Sequence, residues 1–450
     1  MVAIDDLGRR FDALLFDDPA DPAVGFDTVY VTLDGDPKSG ITLKPRPAAS
    51  DATASALDEA SSSFRALAVP IAGGEAAVYF RLFALAPDGS SLVLYRSAPR
   101  VLRSSKARLE PAAFDATGGF VGNGGSWSYE RGMLGAPLWE GGDGTAERRY
   151  LETVALAVRQ TARLNDFAID HTGWELLLTY LPFPDEALHL WFGYLDSALP
   201  SYDRALAARL RPFLDEVLRL ADGEVGHLAE RGGTGTILAV AGDHGIMGVD
   251  RELRPNVALR EAGLLALDAS GRVDLTRTRA YYAPGQFVLI NTTARPEGIV
   301  APGEEEAAVR RAVTSALRAV KGADGRTPVV LDVLDPHVPG HVPAFGGPGG
   351  GDLYLSVAPG VNVSPRLDGE AVVGMRPRGE HIVDPDRPAM KAAFAIAGPG
   401  VAAGADLGPI QQVDIAPTLC LLLGIEPPAQ AVGSVLRSAL ARTAVMPPWR

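Results

Sequence analysis

The run Thr234-Gly-Thr-Ile-Leu-Ala-Val-Ala-Gly-Asp-His-Gly-Ile-Met-Gly-Val249 decides the reading of this chain. Within it Ile237 to Ala241 is unbroken apolar sequence, closed by Gly242, Asp243, His244 and Gly245. A run of that kind reads as a strand buried on both faces of a parallel sheet. Ligands of open α/β sheets collect beyond the carboxyl ends of the strands, which is where Asp243 and His244 fall. A carboxylate beside an imidazole in that position is a metal site or an acid/base pair. A structural turn is an equal alternative.

Working outward, Trp174 to Leu181 reads as a second apolar strand, followed directly by Pro182-Phe-Pro-Asp-Glu-Ala-Leu-His189. Proline and then acidic residues start a helix well. Asp185 and His189 are four apart and project from one face of its first turn. A carboxylate and an imidazole presented together suit a borderline cation such as zinc. A surface pair with no ligand is the plain alternative. On the other side, Arg378-Gly-Glu-His381 reads as a loop before a last apolar strand, Ala392 to Ala397, and His381 is a third candidate ligand. His337 and His341 are also four apart, but intervening prolines forbid a helix. They read as loop residues at the site mouth.

Helical spacing marks Thr145 to Leu164, Pro200 to Arg231 and Glu304 to Lys321. Strands are expected at Phe287 to Asn291, Val329 to Leu334 and Leu353 to Ala358. The first 115 residues differ in texture. Asp34-Gly35 and Asp88-Gly89 each separate two β-rich runs, the pattern of hairpins. Tyr79, Phe80, Phe83 and Tyr95 read as core, and Ala48 to Ser63 as a loop or short helix. The expected architecture is therefore α/β: a mostly parallel sheet between helices in residues 116–450, with a small β-rich module in residues 1–115. The glycine-rich connectors at 118–125 and 141–144 lack the Lys-Ser/Thr of a phosphate loop.

Composition narrows the partners. The 450 residues are 47% hydrophobic and 22% charged, ordinary for a globular protein of two or three domains. A net charge of −13 with no basic cluster argues against a nucleic-acid backbone. An anionic substrate would then need a local positive centre, usually a bound metal. No stretch has the ~18 apolar residues of a membrane helix. The start lacks a basic segment followed by an apolar one, so no signal peptide is read, and a soluble, cytoplasmic protein is the default expectation. Cys420 lies in an apolar run and reads as a buried thiol.

Together these pieces resemble the alkaline phosphatase superfamily, most closely its type I phosphodiesterase/nucleotide pyrophosphatase branch, from about Gly118 to Val435. The resemblance is carried by Leu181-Pro-Phe-Pro-Asp185 with His189 and Gly193, and by Gly242-Asp-His-Gly-Ile246. Gly379-Glu-His381 with Pro388-Ala-Met390, and Asp414-Ile-Ala-Pro-Thr418 with Leu423-Gly-Ile425, complete it. It implies an α/β sandwich with two divalent metals, usually zinc, manganese and iron remaining open. Asp185, His189 and His381 then correspond to ligands of one metal, and Asp243 and His244 to two ligands of the other. The implied activity is hydrolysis of phosphoric mono- or diesters of a small molecule, through a metal-bound Thr or Ser nucleophile.

The resemblance fails at one place. The family opens with a strand ending in a metal-binding Asp, followed about forty residues on by the nucleophile in a Thr/Pro-rich turn. Here the sole strand-then-Asp candidate ends at Asp34, which reads as a hairpin residue with no such turn downstream. The expectation is a chain without the nucleophile segment, impaired in catalysis, binding one zinc tightly and leaving the second site incomplete. A separately encoded N-terminal segment would restore the enzyme. A non-catalytic metal-binding or scaffold remnant is the alternative.

Overall fold

Alternation of apolar and polar residues builds the N-terminal part of the computed structural model, which describes residues 2–6, 9–20, 22, 24–46, 63–71, 74–284, 287–336, 338, 350–381 and 387–441. Strands β1 (Val2–Asp6), β2 (Arg9–Phe16), β3 (Thr28–Leu33) and β4 (Asp36–Leu43) form an antiparallel meander in chain order. In the next sheet β6 (Gly74–Leu85) pairs with β5 (Arg65–Ile71) on one edge and with β7 (Leu92–Arg96) and β8 (Arg100–Val101) on the other. Successive residues of a strand face opposite sides. Val78, Phe80 and Leu82 therefore pack with Phe11, Val29 and Val31 of the first sheet, whereas Ala77, Tyr79 and Phe83 enter the core of the helical part. Asp34 lies in the β3–β4 turn at φ +52°, accepting a hydrogen bond from the Arg10 N–H and pairing with Arg9. It is a hairpin residue.

Helices α1 (Glu110–Thr117) and α2 (Ser126–Glu130) lead into the long α3 (Thr145–His171), which runs on well past the expected end at Leu164. Tyr150, Leu151, Val154 and Val158 line its buried face, beside the aromatic face of β6. One core thus crosses residue 115. Arg81 projects from that face of β6 and pairs with Glu152 of α3 at 3.0 Å, both side chains fully buried. Burial pulls the guanidinium pKa down while Glu152 opposes the shift. Breaking a buried ion pair is strongly destabilising, so Arg81→Met is expected to cost about 3–5 kcal/mol. The double change Arg81→Met/Glu152→Leu should recover most of that in denaturant melts.

Beyond α3 come α4 (Asp185–Leu195) and α5 (Arg204–Gly232). The latter starts after Pro200 because Asp203 caps it, accepting from the Ala205 and Leu206 N–H groups. The strand β9 (Leu238–Ala241) follows, then β10 (Met247–Leu253), α6 (Pro255–Glu261), the hairpin β11 (Ala280–Ala283)–β12 (Phe287–Ile290) and α7 (Glu304–Arg318). The remaining elements are β13 (Val330–Leu334), β14 (Tyr354–Val357), β15 (Gly360–Val363), β16 (Val372–Glu380), β17 (Phe394–Ala397) and α8 (Ile415–Leu423). A second core gathers α6 and α7 with the strands from β11 to β15.

The chain is a mixed α/β fold with a small N-terminal β-rich module, as the sequence implies. Details of the sheet differ. Among the described residues β10–β15 is the one parallel pair of strands, and β10 is antiparallel to β16 on its other side. The run Ile237–Ala241 is not buried on both faces. Among the described residues β9 pairs with β17 alone, antiparallel, and Ala241 is exposed. An apolar run requires cover without specifying it, and here α5 and β17 are the main elements packed on β9. Trp174–Leu181 joins no sheet and remains irregular. Arg378–Glu380, read as loop from its polar sequence, continues β16 because Met247–Val249 pairs with it. Cys420 is half-buried. Residues 47–62, His337, His341 and 346–349 lie outside the described residues.

Candidate metal centre

Proline sets the entry to α4. The Pro182 carbonyl accepts from Glu186 N–H at 3.1 Å and Pro184 from Leu188 N–H at 2.9 Å, so the first turn is formed at Asp185. Helical spacing then brings Asp185 Oδ2 to 3.5 Å from His189 Nε2. The other ring nitrogen of His189 lies 2.7 Å from the Gly379 carbonyl of β16. A carbonyl only accepts, so Nδ1 carries a proton, which leaves Nε2 as the ring atom that could bind a cation beside Asp185. His244 repeats this arrangement. Its Nδ1 donates to the Gly245 carbonyl at 2.9 Å and its Nε2 is 3.5 Å from Asp243 Oδ1.

His381, one residue past β16, sits between the two pairs. Its ring stacks on His244 with centroids 3.6 Å apart and lies 5.0 Å from the His189 ring. Ligand atoms of Asp185, His189 and His381 all fall within 4.8 Å of one another. Burial, then the neighbouring His244 and His189, hold the His381 pKa below the usual imidazole range, which favours the neutral, ligating form. The structure thus brings together all five residues singled out from sequence: Asp185, His189, Asp243, His244 and His381. The two halves differ in exposure. The Asp185 and His189 side chains are 30% and 21% exposed, Asp243 67%.

The donor set fits a divalent cation of borderline softness. Two imidazoles and a carboxylate converge, and a second-sphere carbonyl fixes the His189 tautomer. Asp243 and His244 alone supply two donors to a neighbouring position.

Two glycines make the convergence possible. A Cβ on Gly193 would lie 2.2 Å from the Arg378 nitrogen and 2.6 Å from its carbonyl oxygen. One on Gly379 would meet the Leu188 carbonyl at 2.4 Å. The backbones of α4 and β16 are in direct contact there, and that contact carries Asp185 and His189 to His381. Gly193→Ala must separate them. We expect it to destabilise the fold by about 1–3 kcal/mol and to weaken metal binding together with it, as read by thermal melts and zinc titration.

Sequence reasoning passed over two neighbours. Glu380 is buried, pairs with Arg378 at 2.8 Å and approaches His189 Nδ1 at 4.0 Å. Burial raises its pKa against the pull of Arg378 and His189. Adjacency to His381 was the available signal, but nothing in the sequence tells a buried glutamate from a solvated one. Tyr180 is the other. Burial, then the carboxylates of Asp243, Asp185 and Glu186, push its phenol pKa up. The Thr179 hydroxyl turns away, donating to Asn165 at 2.8 Å.

No curated protein sequence matches the chain. Among solved structures, wild-type alkaline phosphatase PafA aligns with 67% of this chain at 15% identity and a TM-score of 0.38. A four-substitution mutant of PafA gives 14% identity and a TM-score of 0.35. In each case this chain spans 55% of the matched chain. The family profile of type I phosphodiesterases/nucleotide pyrophosphatases matches residues 75–381, starting within β6 and ending on His381. That span covers more than half of the 450 residues and includes all five clustered side chains, so the chain belongs to the type I phosphodiesterase/nucleotide pyrophosphatase family.

Proposed function

We propose that the cluster is the metal centre of a hydrolase acting on phosphoric mono- or diesters of a small molecule. The observation that carries this is the matched pair of Asp–His units facing His381, each histidine anchored on a backbone carbonyl. Asp185, His189 and His381 would hold one cation, zinc by donor type, with manganese or iron as substitutes. Bound there, the ion would supply Lewis-acid polarisation of a phosphoryl oxygen and charge compensation for an anionic substrate in a chain of net charge −13. Asp243 and His244 would hold part of a second site. Glu380 would add negative charge behind His189, and Tyr180 would border the substrate. Residues 1–115 serve as an accessory module beside a hydrolase domain at 116–450.

The nucleophilic hydroxyl, in this reading, comes from a segment outside residues 1–450. Asp34 is committed to its hairpin and Thr179 to Asn165. The high exposure of Asp243 favours a second reading, a metal-binding remnant without catalysis. Metal content tests the first step. After mild chelation, elemental analysis should return about one zinc per chain, the expected yield of a single three-ligand site with an open fourth position. Zero would end the metal reading, and two would show that Asp243 and His244 already have their missing partners.

A further inference from the structure

The two faces of the first sheet differ in kind. Phe11, Ala13, Val29 and Val31 pack against the second sheet and are buried. Alternation turns Arg10, Asp12 and Leu14 of β2, with Tyr30 and Thr32 of β3, to the opposite face. There Asp12 lies across from Thr32 and Leu14 across from Tyr30. These five residues line a groove of about 680 Å³, bordered at one end by the β3–β4 turn at Asp34, Gly35 and Pro37. Small-molecule sites occupy roughly 300–1,000 Å³.

Three features distinguish this groove from an ordinary solvated sheet face. The Tyr30 ring is held in place. Its hydroxyl donates to the Pro37 carbonyl at 2.5 Å, and the ring lies over Gly40, where a Cβ would come within 2.1 Å of Cζ. Thr32 is only 9% exposed, yet its hydroxyl takes no hydrogen bond among the described residues, so its partner comes from the groove. The Asp12 side chain is 14% exposed and uses Oδ1 alone, accepting from Arg10 Nε at 2.8 Å and Nη2 at 2.7 Å. Its Oδ2 accepts nothing among the described residues.

The fixed charges cancel. Arg10 neutralises Asp12, and Arg9 pairs with Asp34 at 2.6 Å. A phosphate ester would meet carboxylates already in place, and a divalent cation would meet the Arg10 guanidinium. A neutral ligand rich in hydroxyls meets neither obstacle. It can donate to Asp12 Oδ2, accept from Arg10 and share a hydrogen bond with Thr32. Tyr30 and Leu14 add an apolar wall. A pyranose matches both demands, because its rim is hydroxylated and its ring face carries C–H groups. An open-chain polyol has the hydroxyls without the face.

We infer that the outer face of the first sheet is a binding site for a neutral pyranose sugar, stacked on Tyr30 with its hydroxyls on Asp12, Arg10 and Thr32. Free oligosaccharides and the ends of longer glycans share this chemistry. The site uses none of the metal-cluster residues and does not depend on the hydrolase reading.

The test uses the full 450-residue chain without added metal. It is titrated with neutral trisaccharides of glucose, galactose, mannose, xylose and N-acetylglucosamine, with the corresponding polysaccharides, and with sorbitol. Calorimetry reads affinity, and saturation-transfer NMR reads which sugar protons touch the protein. The expected result is saturable binding within one sugar series, none of sorbitol, and strongest saturation at the C–H groups of one ring face. Binding of a trisaccharide assigns free sugars, and retention on the polysaccharide alone assigns longer glycans; either supports the site. Tyr30→Ala should weaken binding about tenfold. Thr32→Val, which keeps the side-chain shape, should weaken it about fivefold at an unchanged melting temperature. Tyr30→Phe keeps the ring and should retain binding. Absence of binding across all the sugars would overturn the inference. So would unchanged affinity in Tyr30→Ala and Thr32→Val, which would place the sugar elsewhere. Equal binding of sorbitol would remove the stacking on Tyr30, and tighter binding of a galacturonate trimer would show that the charges of the groove do not cancel.

Discussion

The His189→Ala chain is expected to bind zinc roughly 10³-fold more weakly than the parent chain. Structural zinc sites contribute about 10–16 kcal/mol of binding free energy, and His189 is one of three donors. Losing about a third of a mid-range value is roughly 4 kcal/mol, and each 1.4 kcal/mol is about tenfold. His189 is also the most firmly held of the three, through its 2.7 Å bond to Gly379. Competition with a chromophoric chelator would measure the change. His227→Ala is the matched control, since that imidazole bonds Asp166 at 2.9 Å on the neighbouring helix. Equal loss of zinc in both variants, or unchanged affinity in His189→Ala, would remove Asp185, His189 and His381 as a site.

The second large effect concerns turnover. We expect the isolated chain to hydrolyse p-nitrophenyl phosphate and bis-p-nitrophenyl phosphate at least about 10³-fold more slowly than a member of its family with its nucleophile in place. Removing a nucleophile from a preassembled site commonly costs that much or more. The residual rate should vanish with chelator and with Asp185→Ala, since polarisation of the phosphoryl oxygen depends on the same cation. A fused segment that supplies a carboxylate and a hydroxyl beside Asp243 and His244 should raise the rate by orders of magnitude. Robust zinc-dependent turnover by the chain alone, with a phosphorylated Ser or Thr mapped within residues 1–115, would refute the proposal of an external nucleophile. A fused segment that restores zinc stoichiometry but no turnover would favour the metal-binding remnant.

What could be read from sequence depended on whether the signal was local. Asp185 and His189 share a helical turn, so their 3.5 Å separation follows from spacing and from the prolines that start the helix. Helix α3 announced itself by its apolar stripe, and the two N-terminal hairpins by Asp-Gly turns. Strand neighbours are a different matter. Nothing in Ile237–Ala241 says that β17 would lie beside it antiparallel. Trp174–Leu181 has strand composition, and composition cannot supply a partner. Arg378–Glu380 has the opposite history: a polar stretch drawn into β16 by pairing with Met247–Val249. The meeting of His381 with His244 at 3.6 Å came from family resemblance, as periodicity does not reach across 137 residues of chain.

The groups that aim His189 and His244 are the main-chain carbonyls of Gly379 and Gly245. A carbonyl cannot be deleted by changing a codon. A saturation screen for chains that lose metal should therefore return two kinds of hit and omit a third. The ligands themselves would appear, as would glycines such as Gly193 and Gly379 whose bulkier replacements reroute the chain. Orienting side chains, which in many metalloproteins form a second layer of sensitive acids, would be nearly silent. The mutational map of this centre should be sparse, with tolerance set by the path of the backbone.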